Sequence, residues 1–251
     1  MMMRKSALVN ILSAACVEAS RQLIRDFNEL AFLKANRRID QFVENTRERT
    51  LEIIKTQLLK SNPGHGIIYN NETFRASETG LVWAVNPIDC VENFIHRIPF
   101  FGTCIALAKE EKIKQHEAIA AMFFDPIRDE TFCAEQDQGT FLNAKKLMLA
   151  QLNVSQQMKL NPGKEDFAMP LMVAGCGQTQ ETKANRNFGS NAMHMAYVAA
   201  NRLDATYEKI DDIANICTGK LLVTEARGEV VLNKDGKMII AHNRCFDIAI
   251  A

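Results

Sequence analysis

Much that usually announces a function is missing from this chain. It has no net charge: thirty Lys and Arg balance thirty Asp and Glu over 251 residues. That argues against a broad electrostatic grip on nucleic acid or an anionic membrane, and direct nucleic-acid binding is not expected. The seven cysteines (Cys16, Cys90, Cys104, Cys133, Cys176, Cys217 and Cys245) include no C-x-x-C pair. A disulfide framework or zinc site is therefore not expected, and the thiols read as reduced, in a cytoplasmic protein. No uninterrupted apolar run reaches the roughly 18 residues that a membrane span needs. No internal repeat, low-complexity tract or Pro/Gly/Ser-rich linker divides the chain.

What remains is ordinary folding material, 47% hydrophobic and 24% charged, enough for one large domain or two packed ones. Met1 to Lys5 followed by Ala7-Leu-Val-Asn-Ile-Leu12 has the outline of a signal peptide. Asn10 interrupts the apolar stretch, however. Ser13 stands where a lipoprotein cleavage site wants a large aliphatic residue. The helical spacing then runs on through Val17, Leu23, Ile24 and Phe27, so a first helix of the folded protein is expected.

Residues 6–33 read as that helix. Residues 40–60 read as a second, with Phe42, Val43, Leu51, Ile54 and Leu58 on one side, stopped by Ser61-Asn-Pro-Gly64. Ile67–Tyr69 and Leu81–Val85 read as buried strands. Strands are also expected at Phe101–Lys109, Glu117–Phe124 and Glu130–Glu135, with a hairpin corner at Gly139–Asn143. Farther on, strands are predicted at Leu171–Ala174, Asp204–Glu208 and Glu229–Leu232. Helices are predicted at Ala192–Asn201 and Ile216–Ala226. The alternation implies α/β or layered α+β architecture. An N-terminal half (1–145) and a C-terminal half (146–251) are expected to pack as one unit.

One stretch carries chemistry: Trp83-Ala-Val-Asn86-Pro87-Ile88-Asp89-Cys90-Val91-Glu92-Asn93-Phe94. It resembles the metal-binding motif W-x-V-D-P-I-D-G-T-x-N-F of the inositol monophosphatase family. Other segments match that family in order. His65-Gly-Ile-Ile-Tyr69-Asn70-Asn71 resembles H-x-I-I-x-E-E. Asp125-Pro126, Glu130-Thr-Phe132 and Gly139-Thr-Phe-Leu-Asn143 follow. Arg186-Asn-Phe-Gly189-Ser190 leads to Ala196-Tyr-Val-Ala-Ala-Asn-Arg202-Leu-Asp204, and Gly219 with Leu221-Leu-Val-Thr-Glu225-Ala226 comes last. The resemblance covers nearly the whole chain and is strongest to the family's bacterial extragenic-suppressor branch. It implies a layered αβαβα fold, a two-fold homodimer, Mg2+-dependent hydrolysis of inositol or sugar monophosphates, and an association with transcription machinery.

The same resemblance implies where the site lies and how it differs. Family metal ligands fall on Asn70, Asn86, Asp89 and Asn215, so only Asp89 keeps a carboxylate. Magnesium prefers charged oxygen ligands in octahedral geometry, so its binding is expected to be weak or absent here. The family's water-activating glutamate and threonine fall on Asn70 and Val91, which supply neither a base nor a hydroxyl. Cys90, Val91, Gly189, Ser190 and Glu208 take the substrate-binding positions. Arg47, Asn71 and Glu92 alter the charge around the site; Arg47 stands where the family has a further aspartate, as a possible counter-charge to Asp89.

Three readings follow. The chain is a catalytically impaired family member that works through a protein partner, a phosphatase whose metal is held by Asp89 with Glu72, Glu92, Asp211 or Asp212, or a ligand-binding module without turnover. Cys90 reads as a small residue filling a tight turn. His65 and His96 read as structural, and His194 as packed against an interface.

Overall fold

The computed structural model describes residues 6–33, 39–149, 172–175, 184–233 and 237–243. Two antiparallel-packed helices open the chain, α1 (Ala7–Glu29) and α2 (Ile39–Ser61). Ser6 caps α1, its Oγ accepting from the Val9 N–H at 3.1 Å, which satisfies one of the donors a helix start leaves free. The first sheet has eight strands: β1 (Gly66–Tyr69), β2 (Glu72–Arg75), β3 (Leu81–Asp89), β4 (Gly102–Lys109), β5 (Ala120–Asp125), β6 (Glu130–Glu135), β7 (Gly139–Leu142) and β8 (Lys145–Leu147). Their order is β2-β1-β3-β4-β5-β6-β7-β8. A short helix, α3 (Val91–Ile95), follows β3.

The second sheet has order β10-β9-β11-β13-β12, from β9 (Met172–Gly175), β10 (Ala184–Arg186), β11 (Ala205–Lys209), β12 (Glu229–Leu232) and β13 (Met238–His242). Between the sheets lie α4 (Asn191–Ala199) and α5 (Ile213–Glu225).

Period-two alternation in β3 explains how one strand serves two cores. Trp83 and Val85 face α1 and α2, joining Leu12, Cys16, Ile54, Leu58 and Met122. Val82 and Ala84 face inward, joining Phe123, Met195, Ile216 and Leu222, with Ile239 and Ala241 from the second sheet. Each large side chain fully buried this way stabilises the fold by about 1.5–3 kcal/mol. A third cluster stacks Phe27, Phe94 and Phe101, with ring centroids 4.9–5.6 Å apart, beneath α3.

Several expectations need adjustment. Gly139–Leu142 is a strand, not a corner. The corner is Asn143–Ala144, both at positive φ (46° and 67°), joining β7 to β8, and the 145/146 position falls inside β8. The strands β2, β8 and β10 and a 3-10 turn at Glu110–Gln115 were not anticipated. The helix expected at Ile216 starts at Ile213. By length and mean hydropathy α1 could cross a bilayer, and it is the one such helix among the described residues; its apolar face is instead spent on the sheet. Four layers, α/β/α/β, are built from described residues; the outer helical layer of the expected stack lies outside them.

Candidate functional site

The site is made by an irregularity in β3. Asn86 pairs with Cys104, yet Asp89 pairs with Gly102, so one extra residue is accommodated between them. Residues three apart on a regular strand point to opposite faces; the bulge turns both side chains the same way. Pro87 sits in the bulge, where a missing N–H costs no ladder bond, and its carbonyl accepts from Thr103 Oγ1 at 2.9 Å. Asn86 Oδ1 accepts from the Ile88 N–H at 3.2 Å, closing a local turn.

Asp89 is 3% exposed and lies where β3 meets the N-termini of α4 and α5. Its Oδ1 accepts from Asn215 Nδ2 at 2.8 Å. Its Oδ2 accepts from the Ser190 hydroxyl and from the Ala192 N–H. Asn215 Oδ1 in turn accepts from Asn86 Nδ2 at 3.0 Å. Hydrogen bonds thus run from Asn86 through Asn215 to Asp89, with Ser190 closing from the other side. Burial pushes the Asp89 carboxyl up to about 7, helped by nearby Asp212 and opposed by its Ser190 and Ala192 donors.

The flanking elements are fixed by caps and turns. Ser190 is the N-cap of α4 and accepts from the Met193 N–H at 3.1 Å. Asp212 is the N-cap of α5 and accepts from the Asn215 N–H at 3.0 Å, and its burial raises the carboxyl. Asn70 and Asn71 form the two-residue β1–β2 hairpin turn, at φ of 50° and 62°, a conformation that favours Asn and Gly. Asn71 then clamps α5: Nδ2 donates to the Asp211 carbonyl at 2.6 Å, and Oδ1 accepts from the Ile213 N–H at 2.8 Å.

A cavity of about 350 Å3 opens onto this network, with Arg47, Asn70, Asn86, Asp89, Cys90 and Val91 among its lining. Glu92, Gly189, Asn191, Asp211, Asp212 and Asn215 also line it. Arg47 does not pair with Asp89. It donates to Asn70 Oδ1 at 3.1 Å and lies 3.4 Å from Glu44, with its guanidinium over the Tyr69 ring. Cys90 adopts φ 65° as the N-cap of α3, and burial pushes its thiol up to about 11. Gly189, at φ 83°, leaves room for it: an added Cβ would come within 2.8 Å of Cys90 Sγ. Val91 packs on the Phe94–Phe101 cluster.

Two expected residues stand apart. Glu208 is 2% exposed and outside the cavity lining. It is held by the Thr206 hydroxyl and by His194 Nδ1 at 2.8 Å. His194 Nε2 accepts from the Phe188 N–H at 2.9 Å, which leaves Nδ1 to donate to Glu208. Glu72 is exposed on β2 and also outside the lining. Asn191 was missed by sequence reasoning; its Nδ2 donates to Asp211 Oδ1 at 3.1 Å. The capping role of Asp212 was legible as an Asp preceding an apolar helical run.

As a donor set for magnesium the four positions offer one carboxylate and three neutral amides; the Asn86 and Asn215 Nδ2 groups donate within the network, and both Asp89 oxygens already accept. Among the described residues no three His, Cys, Asp or Glu side chains converge as a metal set.

Two sheets enclosing two helices, with a bulged strand end facing both helix N-termini, define a layered α+β scaffold. Within that class the chain belongs to the inositol monophosphatase family, whose model matches residues 5–246. It is 30% identical over 239 residues to an inositol-1-monophosphatase of Mesorhizobium japonicum, covering 91% of this chain and 86% of that one. It is 29% identical over 234 residues to a Xylella fastidiosa protein named Nus factor SuhB, covering 91% and 82%. The crystal structure of extragenic suppressor protein SuhB from Bartonella henselae superposes with a TM-score of 0.77 at 28% identity, covering 96% and 95%.

Proposed function

We propose that this chain is a family member with little or no phosphatase turnover, working by binding, foremost to a protein partner. The observation that carries the reading is the Asn215 amide bonded to Asp89 at 2.8 Å, in the place where metal would be held. A water there has no cation to lower its pKa, no carboxylate at Asn70 to take its proton, and no hydroxyl at Val91 to orient it. Glu92, Asp211 and Asp212 add negative charge that opposes an incoming phosphate. Magnesium, the cofactor of the family, is bound weakly or not at all. Relatives that carry the name Nus factor point to transcription machinery as the source of the partner, and the balanced charge favours a protein surface over nucleic acid. The protein is read as a cytoplasmic homodimer, with its halves (1–145 and 146–251) folding as one unit.

One observation favours a second reading. Glu92, Asp211 and Asp212 do line the cleft beside Asp89, so relocated acids have the right address for a metal. Hydrolysis of inositol 1-phosphate with Mg2+ or Mn2+ separates the two. The natural chain is expected to be inactive. A variant carrying Asn70→Glu, Asn86→Asp, Asn215→Asp and Arg47→Asp is expected to gain turnover. Clear metal-dependent turnover by the natural chain would refute the binding-protein reading.

A further inference from the structure

A second cavity lies at the opposite end of α5. It measures about 320 Å3 and is formed by the end of β4, the 3-10 turn and the last turns of α5. Its floor is apolar, from Ala118, Ile119 and Leu221. Its rim carries three lysines, Lys109, Lys112 and Lys220, together with His116. β4 runs from Gly102, which pairs with Asp89, to Lys109, so the strand's full length separates this cavity from the cleft already described.

The charges at the rim are unevenly committed. Glu225 accepts from the backbone N–H groups of Asp137 and Gly139 at 3.0 and 2.9 Å, so both its oxygens are engaged by the β6–β7 turn, although it keeps its negative charge. Glu117 is 3.5 Å from Lys112 in a half-exposed pair, which is a weak interaction. Lys220 Nζ donates to the Gln115 carbonyl at 3.0 Å, a neutral acceptor that leaves its charge uncompensated. The Lys109 ammonium and the His116 ring have no hydrogen-bond or ion-pair partner among the described residues. His116 is half-buried, and burial, with Lys220 beside it, lowers its pKa; it offers the cavity a neutral donor and acceptor. Cationic groups with spare hydrogens stand around an apolar floor of a size suited to a small ligand.

We propose that this cavity binds a small molecule with an anionic head and an apolar body, the head held by Lys109, Lys112 and Lys220 and the body resting on Ala118, Ile119 and Leu221. Phosphate and carboxylate heads share the required chemistry, since lysine engages either as a point charge. The site is separate from the bulged-strand cleft, and the proposal does not depend on whether that cleft turns over substrate.

Calorimetric titration of the full chain with phenylphosphonate and with benzoate tests the proposal, with benzyl alcohol as the uncharged probe. Saturable binding of at least one anion is expected, weakened as KCl is raised. Replacing the three exposed or half-exposed lysines together (Lys109→Gln, Lys112→Gln and Lys220→Gln) is expected to weaken it at least about tenfold, the scale of charge-assisted contacts. The Arg47→Ala variant is expected to bind as the natural chain does. Three results would overturn the proposal: no saturable binding of either anion, equal binding by benzyl alcohol, or loss of binding in Arg47→Ala with retention in the lysine variant. Circular dichroism of each variant separates lost binding from lost fold; should the triple variant unfold, the single Lys109→Gln variant, whose ammonium bonds to nothing described, carries the test.

Discussion

Substituting Asn215→Asp puts the amide network under a direct load. The Asn215 Nδ2–Asp89 Oδ1 contact at 2.8 Å would become an approach of two carboxylate oxygens. At that distance two full charges repel by about 6 kcal/mol at an effective dielectric of about 20. The site would avoid most of this by keeping a proton. Asp89 already has its pKa pushed up by burial to about 7. Holding one proton at pH 7 on a group that releases it near 4 when unfolded costs about 4 kcal/mol, at about 1.4 kcal/mol per pH unit. At pH 5 the same proton costs only about 1.4 kcal/mol. Asp89 already bears part of that cost in the natural chain, so the variant should lose up to about 4 kcal/mol at pH 7, at most roughly 8–16 °C in melting temperature for a chain of this size, and less at pH 5. Magnesium at about 100 times its Kd would restore about 2.7 kcal/mol to a variant that binds it, and nothing to the natural chain. Thermal and urea unfolding at both pH values, with Mg2+ and with EDTA, measure each quantity. Loss below about 0.5 kcal/mol at pH 7, or a natural chain stabilised by Mg2+, would refute the claim that amide hydrogens stand in for the cation.

Three further outcomes are expected. Because the Asp89 pKa is raised on folding, its contribution to stability is complete below about pH 4 and is lost as pH rises to about 7; Asp89→Asn should flatten the stability profile across that window, and an unchanged slope in chemical denaturation would place the titration elsewhere. Arg47→Ala should cost less than about 1 kcal/mol, since its bonds to Asn70 and Glu44 are exposed; a loss of 3 kcal/mol or more in the same assay would indicate a buried ion pair after all. Asn71→Gly keeps the positive φ but removes both bonds to the start of α5, so hydrogen exchange of the Ile213 amide should accelerate by about tenfold or more, while Asn70→Gly should leave it unchanged.

The layered fold was legible because its signals are local and repeated. Alternation in Leu81–Val85, the stop at Asn62-Pro-Gly64 and the apolar spacing of α1 each name an element without reference to the others. The address of the site was legible too: Asn86, Asp89, Ser190 and Asn215, up to 129 positions apart, meet in one network. What stayed hidden depends on distance or on backbone shape. Asn70 was read as an exchanged metal ligand and Asn71 as a residue that alters the site's charge, although two successive asparagines before Glu72 also spell a hairpin turn. The separation of Arg47 from Asp89 could not be read, because helix α2 fixes the guanidinium against Tyr69 and Asn70. Glu208 matched a substrate position, but only its burial with His194 and Thr206 reveals that it is engaged inside the protein.

The β3 bulge separates two kinds of information that are usually entangled. Its shape is held by Pro87, the Thr103 hydroxyl and a local turn closed by a side-chain oxygen that either asparagine or aspartate can supply at position 86. Selection on catalysis and selection on architecture therefore act here on different atoms. Exchanging the amide and the carboxylate at position 86 therefore changes the charge of the site with no strand needing to move.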